Sequence, residues 1–150
     1  MTRRALELND RRKVYLNLID IYKTAMKFTY IEPIYKQLCK KHGANVDLWS
    51  AYLEFLVETK ARKESGNEFI LNDLELTEPK QVLQKARQAL PSEQHVAIIS
   101  KYGQLEFKFG SPEQGRTIFE GIVSNYPKRM DIWSIYMDME LKYGKGNETQ

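Results

Sequence analysis

Residues 127–140 read PKRMDIWSIYMDME: a proline, a basic pair and an acid, followed by Trp-x-x-Tyr-x-x-x-Glu. Trp133 and Tyr136 are three residues apart and share one face of a helix if the segment is helical. Recurrence decides what that face is for. Thirty-four residues upstream, Ile99, Tyr102, Leu105, Glu106 and Gly110 stand where Trp133, Tyr136, Met139, Glu140 and Gly144 stand. VDLWSAYLEFL places Trp49 and Tyr52 at the same mutual spacing, and YLNLIDIY offers Ile19 and Tyr22. Four copies of one helix, termed A, follow from a period that marks repeat architectures.

A second pattern, helix B, alternates with the first: PIYKQL at 33–38, VLQKAR at 82–87 and TIFEGI at 117–122. Pro91 and Pro127 follow the matched Leu83 and Phe119 by eight residues, where a proline suits a chain leaving a helix. In GSPEQG, Ser111 can cap, Pro112 takes the first helical position and Gln114 can reach back as in a capping box. Apolar spacings such as Ile98, Tyr102, Leu105 and Phe109 follow helical steps and nowhere alternate as a strand would. The chain is read as all-α, a right-handed α-solenoid of antiparallel A–B helix pairs. One domain, 1–150, then holds repeats at about 13–43, 46–91, 94–127 and 130–144.

Burying a Trp or Tyr removes about 150 to 250 Å² from water, worth roughly 4 to 6 kcal/mol as an upper bound. Packing therefore outweighs surface charge pairs, and Trp49, Tyr52, Leu83, Tyr102, Phe119, Trp133 and Tyr136 are expected to be repeat-core anchors. Two irregularities stand out. Tyr52 and Leu83 are about fourteen residues further apart than Tyr102 and Phe119, which places an insertion at about 60–77. Its Phe69, Ile70, Leu71, Leu74 and Leu76 are too apolar for a free linker, so a short helix or a strip lying on the solenoid is expected, with a partner-binding element as the alternative. At the ends, TRRALEL reads as the tail of a B helix without its A helix, and no B helix follows Gly144, as in a piece of a longer array. The terminal A helix would then expose apolar surface around Ile132, Trp133 and Tyr136, a route to a homo-oligomer.

Composition removes several classes. The net charge of +3 is too small to argue a nucleic-acid surface by itself. One cysteine, Cys39, excludes an internal disulfide, and with only His42 and His95 it gives no metal-ligand spacing. No run approaches the roughly 18 apolar residues of a membrane span, and MTRRALELND lacks the apolar core of a signal peptide. The sequon at Asn147 is read as accidental. No nucleophile–base pair, acid pair or phosphate cradle is found, so no enzyme, cofactor, metal or small-molecule substrate is expected. Gly43, Gly110 and Gly144 read as helix caps.

W-x-x-Y-x-x-x-E followed by R-x-[IV]-[FY]-E, seen at WSIYMDME and GRTIFEGI, resembles the HAT (half-a-TPR) repeat of RNA-processing scaffolds. The fifty-odd residues from LPSEQHVAIISKYGQLEFKFG to WSIYMDME, with VYLNLIDIYKTAMKF, are similar to the carboxy-terminal HAT region of the family of ribosomal RNA processing protein five, in animals programmed cell death protein eleven. The resemblance implies a non-catalytic nucleolar, hence nuclear, scaffold that binds pre-ribosomal assembly proteins during pre-rRNA processing of the small-subunit precursor. In that family S1 RNA-binding domains precede the HAT region; none is present here, so pre-rRNA contact by this piece is not inherited. Met26 and Leu56 replace the expected Glu in the first two copies.

Glu106 and Arg116 sit on the A and B helices of one unit, placed to pair across the turn; Lys80 and Glu32 take Arg116's place in the second and first units. Basic clusters occur at Arg3, Arg4, Arg11, Arg12 and Lys13, at Lys36, Lys40 and Lys41, at Lys60, Arg62 and Lys63, and at Lys128 and Arg129. Lys128 and Arg129, in an inter-unit turn, are the candidate RNA or partner contact. The alternative functions are thus an RNA-binding module using such turns, and a HAT scaffold of splicing or mRNA 3′-end processing.

Overall fold

The computed structural model describes residues 3–66, 71 and 73–144, residues 3–12 by their backbone alone. Among these every regular element is helical. Helix α1 spans Arg3–Thr24, and a 3₁₀ turn at Phe28–Tyr30 leads into α2, Ile31–Lys41. α3 runs Val46–Ser65 and α4 Pro79–Ala89. A second 3₁₀ turn, Ser92–Gln94, opens onto α5, His95–Lys108. α6 is Pro112–Asn125, and α7, Met130–Met139, ends in one wide π turn, Glu140–Gly144.

Local chemistry accounts for several boundaries. Asn45 starts α3 by accepting the backbone N–H groups of Asp47 and Leu48 at 3.0 and 3.2 Å, two donors that a helix start leaves orphaned. Gly66 stops it with φ 74, a left-handed conformation open to glycine. Pro79 and Pro112 occupy first-turn positions, where the missing N–H costs nothing. The Ser111 hydroxyl accepts from the Gln114 N–H at 3.4 Å, as expected of a cap. The reciprocal acceptor differs from expectation: Glu106 Oε1, from the preceding helix, takes the Ser111 N–H at 3.2 Å.

Further expectations need correction. The described part of TRRALEL, residues 3–8, is no separate helix tail, because α1 continues unbroken to Thr24; neither Gly nor Pro interrupts Arg3–Thr24. The first part of the insertion, through Ser65, prolongs α3. Leu71 and Leu74 are buried, so the described later part is a strip lying on the helices; Phe69 and Ile70, like Asn147, lie outside the described residues. Gly43 and Gly110 directly follow the C-caps of α2 and α5, as expected, and Gly144 closes the π turn, although Gly66 alone of the described glycines has positive φ. Met26, at the acid position of the first A pattern, has φ 62 and stands just beyond the end of α1.

Each helix packs on its chain neighbour, and α5 also contacts both α3 and α7. This is packing consistent with an α-solenoid. The core has two parts. One extends from Ile19 to Leu105 across α1–α5, the other from Val96 to Met139 across α5–α7, and Ile99 and Ile118 touch both.

Candidate protein-interaction surface

The same aromatic arrangement is built twice. In the first, Tyr35 of α2 stacks on Tyr52 of α3, with centroids 5.4 Å apart and planes 4° from parallel, and Trp49 flanks Tyr52 at 6.3 Å. In the second, Phe119 of α6 stacks on Tyr136 of α7 at 5.3 Å and 6°, with Trp133 at 6.4 Å. Each indole N–H reaches back six residues to a turn carbonyl: Trp49 Nε1 to Gly43 at 2.8 Å, Trp133 Nε1 to Pro127 at 3.0 Å. Trp therefore fills the interface and also ties down the turn before its helix. Between the two stacks, Leu83 is half-buried and Tyr102 fully buried. With Tyr52 and Tyr102 each at 2% exposure and Phe119 at 0%, these rings present no face to a ligand.

The tyrosine hydroxyls lead to carboxylates. Tyr52 donates to Glu32 Oε2 at 2.5 Å and Tyr136 to Glu120 Oε2 at 2.6 Å. Burial first, and then these acceptors, push both phenols above their ordinary range, and burial with Glu106 does the same for Tyr102. Tyr35 is pushed up to about 12, chiefly by burial. Glu32 is itself 6% exposed, and its Oε1 accepts the Thr77 N–H at 3.2 Å. One acid thus clamps α2, α3 and the end of the insertion. Sequence reasoning saw Glu32 merely as a residue in Arg116's place; a lone acid amid the apolar positions of IEPIY was the available signal.

The repeat acids face the ends of their own helices. A Cβ on Gly110 or Gly144 would collide with the carboxylate of Glu106 or Glu140, four residues earlier in each case. Glycine leaves the space into which the acid folds. Arg116, paired in the sequence reading with Glu106, sends its Nε to Glu140 Oε2 at 2.6 Å and its Nη2 to the Gly144 carbonyl. The cation of α6 therefore binds the C-terminal end of α7, where carbonyls and acid together favour it.

Lys128 and Arg129 are exposed. Arg129 donates twice to Asp131, at 2.9 and 2.8 Å, and its guanidinium holds the Asp131 carboxyl down at about 2. Ile132 and Tyr136 are buried and Trp133 half-buried, contrary to the expected exposure, because they pack with α5 and α6; Met130 and Met137 of α7 and Leu141 of the π turn are exposed apolar residues. Two clefts flank the stacks. One, of about 480 Å³, has Lys60, Glu78, Lys80, Tyr102 and Glu106 among its walls, with Lys60 bonded to Glu78 at 3.0 Å. The other, about 440 Å³, lies between α2 and α4 over Trp49 and Tyr52. Among the described residues no group of three or more His, Cys, Asp or Glu could hold a metal ion, and no helix is long and apolar enough to cross a membrane.

No protein-family model matches the chain. Among curated proteins it is 35% identical over 147 residues, 98% of its length, to "Protein RRP5 homolog" of Homo sapiens. It is 37% identical over 132 residues to "rRNA biogenesis protein rrp5" of Schizosaccharomyces pombe and 30% over 142 residues to "rRNA biogenesis protein RRP5" of Arabidopsis thaliana. The chain spans 7% to 8% of the length of these relatives.

Proposed function

Because this chain is homologous, over nearly its whole length, to a short segment of the RRP5 rRNA biogenesis proteins, we propose that it acts in rRNA biogenesis as a non-catalytic scaffold. It is a segment of right-handed α-solenoid, with HAT-type repeats α1–α2, α3–α4, α5–α6 and α7, from the carboxy-terminal part of a longer protein. Its grooves hold proteins of the small-subunit precursor in the nucleolus. The homology carries this reading. The inward-facing aromatic stacks agree with it, since they spend the large rings on holding hairpins together and leave binding to exposed positions. Splicing and mRNA 3′-end processing are disfavoured by the names of the relatives. An RNA-binding role is weakened by Arg129, whose charge is already met by Asp131.

Affinity purification with the chain, at low and high salt, followed by identification of both proteins and RNAs, tests the proposal. Small-subunit precursor proteins retained at both salts are expected. Recovery of spliceosomal or polyadenylation factors instead would overturn it. Recovery of RNA alone, with steep loss as salt rises, would move the function to phosphate contacts.

A further inference from the structure

The groove between α2 and α4 has a basic rim around an apolar floor. Its floor is Cys39, Trp49, Tyr52 and Val82, each under 7% exposed, and its rim carries Lys36 and Lys40 on one side and Lys85 on the other. Lys36 and Lys40 are one helical turn apart, so their ammonium groups stand on the same edge. Among the described residues neither Lys40 nor Lys85 has a carboxylate at ion-pair distance. Lys36 is 4.0 Å from Glu32, but that acid is buried and already bonded to Tyr52 and Thr77. Lys41 points elsewhere, over the ring of Tyr15.

The fold does not demand these lysines. Matching Tyr35, Leu83 and Phe119 puts Gln84 and Gln88 of α4 where Lys36 and Lys40 stand in α2, and Gly121 of α6 where Lys85 stands in α4. The corresponding register positions of α4 and α6 thus carry no basic residue. A cationic frame around an apolar floor is complementary to a ligand with an apolar side chain between carboxylates. Single-stranded RNA fits less well, because base stacking needs open ring faces and Trp49 and Tyr52 are 6% and 2% exposed.

We propose that the α2–α4 groove is a docking site for an acidic, amphipathic peptide segment of a protein partner. An aliphatic side chain of that segment lies in the groove against exposed Ala89 and the aliphatic stems of the lysines, while flanking Asp or Glu side chains meet Lys36, Lys40 and Lys85. This deepens the scaffold reading and rests on it, by assigning one groove and one chemistry of partner.

The test is selection of random displayed peptides on the native chain, with counter-selection on Lys36→Glu/Lys40→Glu/Lys85→Glu. Peptides retained by the native chain alone are expected to carry Asp or Glu beside Leu, Ile or Met. Their affinity should fall with salt and drop roughly tenfold in the milder Lys40→Gln/Lys85→Gln variant, on the scale of two exposed ion pairs. That variant keeps Lys36 beside Glu32 and so guards against a folding defect, which circular dichroism would reveal. Selected peptides without acidic residues, equal binding to native and variant chains, no peptide at all, or displacement of the peptides by oligouridine at equal concentration would each overturn the proposal. Any of these, alongside continued capture of pre-ribosomal proteins, would remove the groove and leave the scaffold function standing.

Discussion

At the scale of single residues, the groups that matter most are polar ones in dry places. Glu32 accepts from Tyr52 and from Thr77 while almost fully buried, so its removal leaves two donors without a partner. Glu32→Ala should cost about 1 to 3 kcal/mol, and Glu32→Gln, which keeps an acceptor oxygen, should cost less. A cycle of Glu32→Ala and Tyr52→Phe, read by urea unfolding, should show coupling of roughly 0.5 kcal/mol or more; additive losses would mean that the bond contributes nothing. The tyrosines also set the alkaline limit of the fold. Tyr35, Tyr52, Tyr102 and Tyr136 hold their protons more tightly in the folded chain than an ordinary phenol at 10.0 does. Their contribution to stability is therefore complete below that value and is lost as pH rises above it. Cys39, pushed by burial from 9.0 up to about 12, acts in the same direction, its contribution being lost as pH rises above 9.0. A phenolate absorbance titration should show these four of the nine tyrosines ionising late, together with loss of helical circular dichroism. Cys39 should resist alkylation at neutral pH until denaturant is added. Four early, reversible ionisations with the helices intact would contradict the buried stacks.

Between elements, α5 and α6 approach each other closely. A Cβ on Gly103 would lie 2.9 Å from a ring carbon of Phe119 and 3.1 Å from Ile118 Cγ2, and one on Gly115 would press on Phe107. These are core atoms without free space to move into, so Gly103→Ala should destabilise by about 1 to 3 kcal/mol as an overpacked contact. Gly121, also in α6, has nothing within 4 Å of its Cβ position and is exposed. There the helix propensity of alanine acts unopposed, and Gly121→Ala should stabilise by roughly 0.5 to 1 kcal/mol. Opposite signs from one chemical change, measured by denaturant midpoints, would locate the helix contact; equal signs would refute it. The insertion allows a similar contrast. Leu71 is 0% exposed, and Lys63 Nζ holds the Leu74 carbonyl at 2.6 Å. Leu71→Ala should therefore cost about 2 to 5 kcal/mol, the range of a core leucine, where a free loop would lose almost nothing. Urea unfolding distinguishes the two.

For the molecule as a whole, what could be read from sequence was whatever a helix fixes locally. The spacing of Trp133 to Tyr136 puts both on one face, and the distance from Ser111 to Gln114 makes a cap, because 3.6 residues per turn fixes those relations without a partner. What could not be read depended on how far apart two helices come to rest. Arg116 faces Glu140, twenty-four residues on, and Lys85 joins Lys36 across a groove, and no period within one helix encodes either meeting. The same linear order has an energetic consequence. Two core clusters, sharing Ile99 and Ile118, divide the stack, and in such arrays stability is close to a sum over neighbouring units. Phe119→Ala removes a fully buried ring that touches Tyr136 and Phe107, a loss of about 3 to 5 kcal/mol. That loss should stay local. Amide hydrogen exchange should accelerate in α6 and α7, while the amides around Leu38 and Leu53, in the other cluster, keep most of their protection. Tyr35→Ala, which breaks the stack on Tyr52, should reverse the pattern, loosening α2 and α3 and sparing α7. If either substitution lowered protection evenly from α2 to α7, the two clusters would have to unfold as one unit, and the additive description of the stack would be wrong.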